Sequence, residues 1–291
     1  MNEIIIGMEN QKVWFVTGAS KGLGLTLIKL LLAGNNKVVA TSRNAQEIEL
    51  LLGQRENLLA LTVNLADNDS VRNAVDQAVN TFGHIDVAVN NAGYTLYGSV
   101  EAMTDLEFRQ MMDINFFGAV NVIRNIMPYF RKQQSGHMIN ISSIAGYKGF
   151  GNSPAYASSK FAVIGLSEAL AEEAAIFNVK VTVVAPGFFR TDFLNKGSDM
   201  VCKNPIPEYQ TETLVRRLKN MNGSQTGDPE KMAKALIEIS NMQNPPLHLL
   251  MGPDAFQIVS EKRQAENQEF ETWKPITFST NIEVSQSESI L

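Results

Sequence analysis

The residues best suited to chemistry are Tyr156, Lys160 and Ser143, a phenol, an amine and a hydroxyl at a regular spacing. A phenol transfers protons at neutral pH only if its anion is stabilised, since an unperturbed tyrosine has a pKa of about 10. A lysine four residues later on a helix lies on the same face, and its charge would lower the pKa of the tyrosine. Ser153 and Pro154 resemble an N-cap and a first helical residue, which places Tyr156 in the first turn, where the helix dipole favours an anion. On their own, a tyrosine and a lysine four residues apart are more often a half-buried ring beside a solvated amine. The neighbouring motifs therefore decide whether Tyr156 and Lys160 are functional.

A glycine-rich turn follows the first apolar run, Val13–Thr17. Gly18, Gly22 and Gly24 have the spacing G-x-x-x-G-x-G and lead into a helix-like stretch. Glycines let the backbone approach a pyrophosphate, and the start of a helix offers unpaired N–H groups. The order of strand, glycines and helix predicts a dinucleotide-binding turn and not an ordinary glycine-rich loop. The turn also contains Ser20, Lys21 and Leu23.

The end of the second apolar run indicates which dinucleotide to expect. An acidic residue there would bind a free ribose 2′-hydroxyl, but this chain has Ser42 and Arg43. Arg43 offers a planar guanidinium to a 2′-phosphate, and Lys21 adds charge from the glycine turn. The pair favours NADP(H) over NAD(H); the alternative is that both cations are merely solvated.

Composition excludes several classes of protein. The chain has 291 residues, 44% hydrophobic and 19% charged, which suits a globular protein with a large core. The net charge of -5 argues against nucleic acid and anionic membranes as partners. The single cysteine, Cys202, excludes an internal disulfide and is expected to be an inert thiol. The histidines lack ligand spacing, so no metal is expected, and without an evident signal peptide or spanning segment the expected location is the cytoplasm.

Apolar runs rich in β-branched residues alternate with helical periodicity. The predicted strands are Val13–Thr17, Lys37–Thr41, Leu58–Val63, Ile85–Asn90, Gly136–Ser142 and Lys180–Ala185, with a last strand near Leu247–Met251. The predicted helices cover roughly 22–34, 44–53, 68–82, 104–133 and 154–177. The strands lack in-out alternation, as in a parallel sheet covered on both faces. The predicted fold class is therefore α/β, a doubly wound parallel sheet of about seven strands (Rossmann fold) in one domain, 1–273.

Two regions interrupt the alternation. Residues 188–227 contain only a short helical patch near 209–220, and an insertion of this length after a core strand is expected to be a substrate lid. The C-terminal tail, 274–291, is polar and expected to be loose or draped over the surface.

Taken together, these residues resemble the short-chain dehydrogenase/reductase family. The likeness is close over 12–190 and looser to about 255. P-G-F-F-R-T-D-F and the later L-L-M-G-P-D-A favour the carbonyl-reductase and 17-beta-hydroxysteroid-dehydrogenase-like branch. The motifs that carry the family resemblance are T-G-A-S-K-G-L-G at 17–24, N-N-A-G at 90–93, D-I-N-F-F-G around Asn115, S-S at 142–143, Y-x-x-x-K at 156–160 and P-G-F-F-R-T at 186–191.

The resemblance implies further roles. Ser143 would hydrogen-bond the substrate oxygen, with Ser142 the less favoured of the two by spacing. Asn115 would bend its helix and hold a water molecule on the way to Lys160. Lys160 would also bind the nicotinamide ribose. Asn64 stands where the family often has an aspartate that accepts from the adenine amino group, and an amide oxygen can still accept there. The other expected cofactor-binding residues are Leu65, Asn91, Ala92, Gly93, Pro186, Gly187 and Thr191, the last near the nicotinamide amide.

The implied reaction is hydride transfer between a nicotinamide and a ketone, aldehyde or secondary alcohol, with Tyr156 as general acid/base. A hydrophobic small-molecule carbonyl is the expected substrate, although aromatic residues near strand ends more often pack than recognise ligands. The alternatives are a 3-oxoacyl-carrier reductase of the same family and a non-catalytic NADP(H)-sensing protein. Family members pair through the two long helices, so a homodimer or homotetramer is expected. The candidate pocket residues are Tyr94, Leu96, Tyr97, Ile144, Tyr147, Phe150, Phe188, Phe189, Phe193 and Met200.

Overall fold

The apolar runs form parallel strands in the computed structural model, which describes residues 11–191, 199–220 and 223–282. Seven strands make one sheet, and its order reverses direction beside the first strand. The strands of the described residues are β1 (Val13–Thr17), β2 (Lys37–Ser42), β3 (Leu58–Thr62), β4 (Val87–Asn90), β5 (Thr95–Tyr97), β6 (Gly136–Ile141), β7 (Val179–Pro186), β8 (Asp199–Val201) and β9 (His248–Met251). The order in the large sheet is β3-β2-β1-β4-β6-β7-β9.

Helices cover both faces of this sheet, so the predicted doubly wound α/β fold is confirmed. No helix in the described ranges combines the length and the hydropathy needed to cross a bilayer. The α-helices of these ranges are α1 (Gly22–Ala33), α2 (Ala45–Leu52), α3 (Asn68–Phe82), α4 (Asp105–Met112), α5 (Gly118–Gln133), α6 (Pro154–Ala175), α7 (Thr211–Asn220), α8 (Pro229–Ser240) and α9 (Pro253–Phe278).

The central strand β1 is buried over its whole length, and its side chains alternate between two cores. Phe15 packs with the core that includes residues of α3 and α5. Trp14 and Val16 pack with the opposite core, which includes residues of α1 and α8. This burial on both faces explains why the strand is apolar throughout and does not alternate.

The reversal of the strand order beside β1 creates a crevice at the edge of the sheet. This strand pairs with β2 on one side and with β4 on the other, in parallel in both cases. The chain first winds outward to β3 and then crosses back to β4, so the connections after β1 and β4 leave on opposite faces. In open α/β sheets, the carboxyl edge at such a switch point is where ligands bind.

The predicted helix over 104–133 is not regular. It consists of α4, a π-helical segment at Asp113–Phe117 and α5, so one widened turn interrupts the α-helix. Asn115 lies in this segment. Single π-helical turns of this kind often occur at functional sites.

The region 188–227 contains more than the predicted helical patch. In addition to α7, it contributes β8, which pairs in parallel with β5 to form a separate two-stranded sheet. At the other end of the chain, α9 continues through Lys274 as far as Phe278, where the sequence predicts a loose tail. An exposed ion pair of 3.1 Å between Lys274 and Glu271 lies across this boundary. Residues 283–291 lie outside the described part.

Candidate active site

A cavity of about 910 Å³ lies at the carboxyl edge of the large sheet. Its lining begins in the glycine turn after β1 and continues past the loop after β7 to α7 and Gln225. Of the predicted catalytic residues, Ser143, Tyr156 and Lys160 line it, and Asn115 lies behind it. The predicted cofactor-binding residues on its wall are Gly18, Ser20, Lys21, Gly22, Leu23, Ser42, Arg43, Asn64, Leu65, Asn91, Ala92, Gly93, Tyr156, Lys160, Pro186, Gly187 and Thr191.

The glycine turn needs its glycines for two physical reasons. Gly18 has a φ of 64°, and a Cβ added to it would lie 2.8 Å from Cα of Ala92. Gly22 also has a positive φ, of 55°. Gly24 does not line the cavity. A Cβ there would lie 2.6 Å from Nδ2 of Asn91 and would disrupt packing behind the turn. Its role is therefore to let the helix approach the strand.

Thr17 opens the glycine motif at 17–24, but the motif does not predict a role for its side chain. Its hydroxyl oxygen accepts from the backbone N–H groups of Asn91 and Ala92, both at 3.0 Å. The side-chain amide of Asn91 in turn donates to the carbonyl of Thr17 at 2.9 Å. These bonds join the end of β1 to the loop after β4 and so hold the two walls of the crevice. The signal available in the sequence was a threonine directly before the glycines.

The start of α1 is suited to an anion. Lys21 occupies the N-cap without a side-chain hydrogen bond to the helix, and no acidic residue lies in the first turn. Gly22 and Leu23, the first helical residues, line the cavity. Unpaired N–H groups and the positive end of the helix dipole favour a phosphate here. The turn therefore fits the pyrophosphate of a dinucleotide.

The far end of the cavity carries the residues expected to select the cofactor. Arg43 is exposed, lines the cavity and has no ion pair with another described residue. The hydroxyl of Ser42 donates to the carbonyl of Asn44 at 2.6 Å. The side-chain oxygen of Asn64 accepts from the backbone N–H of Ala66 at 3.2 Å. Asn64 therefore shapes its own loop first, and its oxygen keeps a second lone pair for an adenine.

Leu65 is held in the wall by α5. A Cβ on Gly118 would lie 3.0 Å from Cβ of Leu65, so the leucine packs directly on the helix backbone. The buried side chain of Asn121 donates to the carbonyl of Leu65 at 2.9 Å. Neither contact follows from the local sequence, since both join segments more than fifty residues apart.

Tyr156 lies in the first turn of α6, as predicted. Pro154 is the first helical residue, but the Ser153 side chain does not cap the helix. Its hydroxyl donates instead to the carbonyl of Phe150 at 3.1 Å, which fixes the loop leading into α6. The serine thus occupies the N-cap position for a different reason from the one predicted.

Ser143 is the serine that faces Tyr156. The two side chains are hydrogen-bonded, and the Ser143 oxygen also accepts from the backbone N–H of Ala145 at 3.1 Å. Ser142 is buried and donates to the carbonyl of Lys160 at 2.9 Å, so its hydroxyl is used inside the protein. The geometry agrees with the preference for Ser143 over Ser142.

Lys160 is 4% exposed, and its amine approaches the ring of Tyr156. Nζ donates to the carbonyl of Ile141 at 2.9 Å and lies 5.7 Å from the ring centroid of Tyr156. Burial lowers the pKa of Lys160 from 10.5 to about 8. The amine is thus held beside the phenol in an environment that penalises its charge.

The predicted lowering of the Tyr156 pKa is wrong for this geometry. Burial raises the pKa of Tyr156 to about 12, the hydrogen bond from Ser143 opposes this increase, and Tyr97 adds to it. Loss of water around the phenol outweighs the stabilising groups, because a low-dielectric site disfavours the anion. Tyr156 is consequently neutral at physiological pH and able to donate a proton.

Asn115 joins the π-helical segment to the helix of Tyr156. Its side-chain oxygen accepts from the backbone N–H of Tyr94 at 3.0 Å, and its nitrogen donates to the carbonyl of Tyr94 at 2.9 Å. The same nitrogen donates to the hydroxyl of Ser159 at 3.2 Å. A Cβ on Gly93 would lie 3.2 Å from the Asn115 oxygen and 3.5 Å from Nζ of Lys160. The side chains of Asn115 and Lys160 therefore both approach Gly93.

The remainder of the cavity is bordered by aromatic side chains. Two of the candidate pocket residues lie elsewhere: Leu96 is 2% exposed and packs in a small core, and the Tyr147 hydroxyl contacts Nδ1 of His248 at 2.7 Å. Phe193 lies outside the described residues, as does the Met200 side chain. The candidates that do line the cavity are Tyr94, Tyr97, Ile144, Phe150, Phe188 and Phe189. The wall also contains Leu214 and Leu218 of α7, and Gln110, Asp113 and Gln225, which the sequence analysis does not identify.

Cys202 takes no part in this site. It is 3% exposed, and burial, reinforced by the charge of Glu107, raises the pKa of its thiol. A raised pKa disfavours the reactive thiolate.

Within the described ranges, no group of three or more histidine, cysteine or acidic side chains is placed to hold a metal ion.

A dinucleotide crevice and a Tyr-Lys-Ser group in one cavity are the features of a nicotinamide-dependent oxidoreductase. The profile of the short chain dehydrogenases matches residues 12–201, so the chain belongs to the short-chain dehydrogenase/reductase family. The finer carbonyl-reductase branch remains a prediction.

Individual relatives agree with this membership. The chain is 34% identical over 273 residues to oxidoreductase BOA17 of Botryotinia fuckeliana, covering 92% of this chain and 99% of that protein. It is 36% identical over 244 residues to 3-ketodihydrosphingosine reductase of Bacteroides thetaiotaomicron, covering 83% and 88%.

Solved structures show the same likeness. A short-chain dehydrogenase from Streptomyces avermitilis superposes with a TM-score of 0.86 at 31% identity, covering 94% of this chain and all of that one. ElxO with NADP bound superposes with a TM-score of 0.69 at 29% identity, covering 83% and 97%.

Proposed function

We propose that this oxidoreductase reduces a hydrophobic ketone or aldehyde with NADPH, or oxidises the corresponding secondary alcohol with NADP⁺. The observation that carries the proposal is the hydrogen-bonded pair of Ser143 and Tyr156 on the cavity wall, with the Lys160 amine 5.7 Å from the phenol ring. A non-catalytic sensor would not need a phenol and a buried amine aligned in this way.

Each residue has a defined task in the reduction. Ser143 donates a hydrogen bond to the substrate oxygen and stabilises the negative charge that grows on it. Tyr156 donates its proton to that oxygen as the C–O bond becomes a single bond. Lys160 stabilises the tyrosinate that remains, because its positive charge is held beside the ring in a site of low dielectric. When bound, the reduced nicotinamide supplies the hydride that goes to the carbonyl carbon.

The choice of NADP(H) is supported at the adenosine end. Arg43 is exposed on the cavity wall, and no carboxylate follows β2 before Glu47. A guanidinium binds a 2′-phosphate in a bidentate manner, whereas a carboxylate at this place would repel it. The similar protein ElxO contains NADP, which agrees with this choice.

The substrate is proposed to be apolar and larger than acetone. Phe150 and Phe188 line one part of the cavity, and Leu214 and Leu218 of α7 line another. We therefore regard 188–227 as the substrate lid, in which α7 contributes Leu214 and Leu218 to the cavity wall. The name of the Bacteroides relative, a reductase of 3-ketodihydrosphingosine, is consistent with a long-chain ketone.

The test is NADPH oxidation with a panel of ketones, aldehydes, quinones and acetoacetyl thioesters. Tyr156→Phe should reduce kcat by about 100-fold or more, since it removes the general acid and leaves the fold intact. Tyr129→Phe is the matched control, because Tyr129 also hydrogen-bonds, to Asp76 at 2.8 Å, but lies outside the cavity lining. Near-normal turnover in Tyr156→Phe would refute the mechanism. Preference for the thioesters would favour the 3-oxoacyl-carrier alternative.

We also propose a homodimer or homotetramer formed through α5 and α6, in the cytoplasm. Two aromatic side chains support this surface: Phe117, directly before α5, is 49% exposed, and Phe161 on α6 is 45% exposed. Large exposed aromatic residues are common in subunit interfaces. Light scattering of wild type and Phe161→Asp measures the state; a monomeric wild type would contradict this assembly.

A further inference from the structure

The loop after β7, which is expected to hold the nicotinamide, is held in place by residues outside the predicted cofactor-binding motifs. Asp254, in the first turn of α9, accepts from the backbone N–H of Phe188 at 2.7 Å. The preceding N–H, that of Gly187, donates to the carbonyl of Met251 at 2.9 Å. Two consecutive amides of the loop thus point to the junction of β9 and α9.

The carboxylate of Asp254 also fills the space beside this loop. A Cβ added to Gly187 would overlap it, so only glycine allows the loop to pass so close. Gly252, with a φ of 101°, turns the chain immediately before α9 and places Asp254 against the loop. Gly187 and Gly252 thus lie in two short segments that both contact the side chain of Asp254.

The other side of the loop is fastened independently. The carbonyl of Phe188 accepts from Gly227 at 3.1 Å, and the N–H of Arg190 donates to the carbonyl of Gly227 at 2.8 Å. These backbone bonds survive a change at position 254. Removing the carboxylate therefore releases the N–H of Phe188, while Gly187 stays bonded to Met251 and the segment before α8 still holds the other side of the loop.

We propose that Asp254 is a positioning residue for nicotinamide binding, which acts by holding Gly187 and Phe188 at the cavity wall. The proposal depends on the proposed use of a nicotinamide dinucleotide and extends it to a residue that does not itself line the cavity. A hydrogen bond from a backbone N–H to a carboxylate is stronger than one between neutral groups. Its loss loosens the loop and weakens only the part of the ligand that lies against it.

The test compares ligands with and without the nicotinamide. Calorimetry measures binding of NADP⁺ and of 2′,5′-ADP, and of NAD⁺ and ADP-ribose, to wild type, Asp254→Ala and Asp254→Asn. Asp254→Ala should weaken binding of the dinucleotide by about tenfold and leave the nicotinamide-free ligand unchanged, a loss that corresponds to about 1.4 kcal/mol. Asp254→Asn should recover most of the affinity, because its amide oxygen still accepts from Phe188.

Asp86→Ala is the matched control. Asp86 accepts from the backbone N–H of Val13 at 2.7 Å, the same bond length, but at the opposite edge of the sheet. It should leave both affinities unchanged. Equal binding of NADP⁺ by wild type and Asp254→Ala, or equal weakening of both ligands of a pair, would overturn the proposal. A wild type that binds neither NADP⁺ nor NAD⁺ would overturn it together with the proposed cofactor, a result distinct from a failure at Asp254 alone.

Discussion

The side-chain amide of Asn115 donates to the hydroxyl of Ser159 at 3.2 Å, which links the π-helical segment to α6. Ser159 in turn donates to the carbonyl of Tyr156 at 2.7 Å, within the first turn of that helix. The backbone that carries the Tyr156 phenol is therefore braced from behind the cavity wall. A regular α-helix through 104–133 would not place an asparagine in the same way, since the widened turn shifts the side chains that follow it.

Asn115→Ala should lower the free energy of unfolding by about 2–4 kcal/mol. The substitution removes three hydrogen bonds, two of them to the backbone N–H and carbonyl of Tyr94. Because Asn115 is only 2% exposed, these bonds lie in a buried site, where their loss is costly. Urea-induced unfolding measures the change. Asn125→Ala is the control, because Asn125 is only partly buried and should cost less than about 1 kcal/mol. Equal effects of the two substitutions would show that the buried bonds do not stabilise the fold as argued.

The stability of wild type relative to Lys160→Met should increase with pH. The folded-state pKa of Lys160, about 8, lies below its ordinary value of 10.5, so the folded protein releases the lysine proton first as pH rises. The unfolded chain then binds more protons than the folded protein, so the free energy of unfolding rises with pH as the buried lysine loses its charge. From about pH 7 to about pH 9.5 the gain should be ~2 kcal/mol, measured by urea unfolding of both proteins. A difference that stays constant over this range would mean that the amine is not desolvated. Above about pH 10 the raised pKa of Tyr156 acts in the opposite direction, so the measurement stops below that point.

Arg43→Ala should reduce the proposed preference for NADP(H). Arg43 is exposed on the cavity wall beside Ser42, so its loss should raise KM for NADPH by about tenfold and leave KM for NADH nearly unchanged. Arg55→Ala is the control, since Arg55 is also exposed but bonds to the carbonyl of Leu52 outside the cavity lining. A similar increase in KM for both cofactors would show that Arg43 does not recognise the 2′-phosphate.

Leu218→Ala should raise KM for bulky apolar ketones severalfold and leave KM for a small ketone unchanged. The leucine lines the cavity from α7, and truncation removes apolar contact area only for a substrate long enough to reach it. Arg216→Ala, on the exposed side of the same helix, controls for a general effect on α7. If large and small substrates are affected alike, α7 does not form the apolar wall proposed for it.

The elements predicted best are those with strong local patterns. The buried strands and the residues of the glycine turn follow from short apolar runs and from backbone requirements such as the positive φ of Gly18. α8 and α9 go beyond the predicted elements, although Asp228-Pro229 and Pro253-Asp254 are recognisable helix starts. Asp228 caps α8 through the N–H groups of Glu230 and Lys231.

Features that depend on distant partners could not be predicted. β5 and β8 have three residues each, and they pair across about a hundred positions of chain. The family resemblance implies a bend at Asn115, where the π-helical segment lies, but no periodicity indicates the contact of Asn115 with Tyr94. The spacing identifies Lys160 but not the amount of water excluded around the phenol, so it does not predict that the pKa of Tyr156 is raised.

β1 consists of five residues between a lysine and the first glycine of the turn, and this shortness has an evolutionary consequence. Deleting or inserting one residue would exchange the places of Phe15 and Trp14 between the two cores. The same change would move Thr17 away from the amides of Asn91 and Ala92. Natural variants of this enzyme should therefore tolerate length changes in the exposed connection between α2 and β3, and none at all in its opening strand.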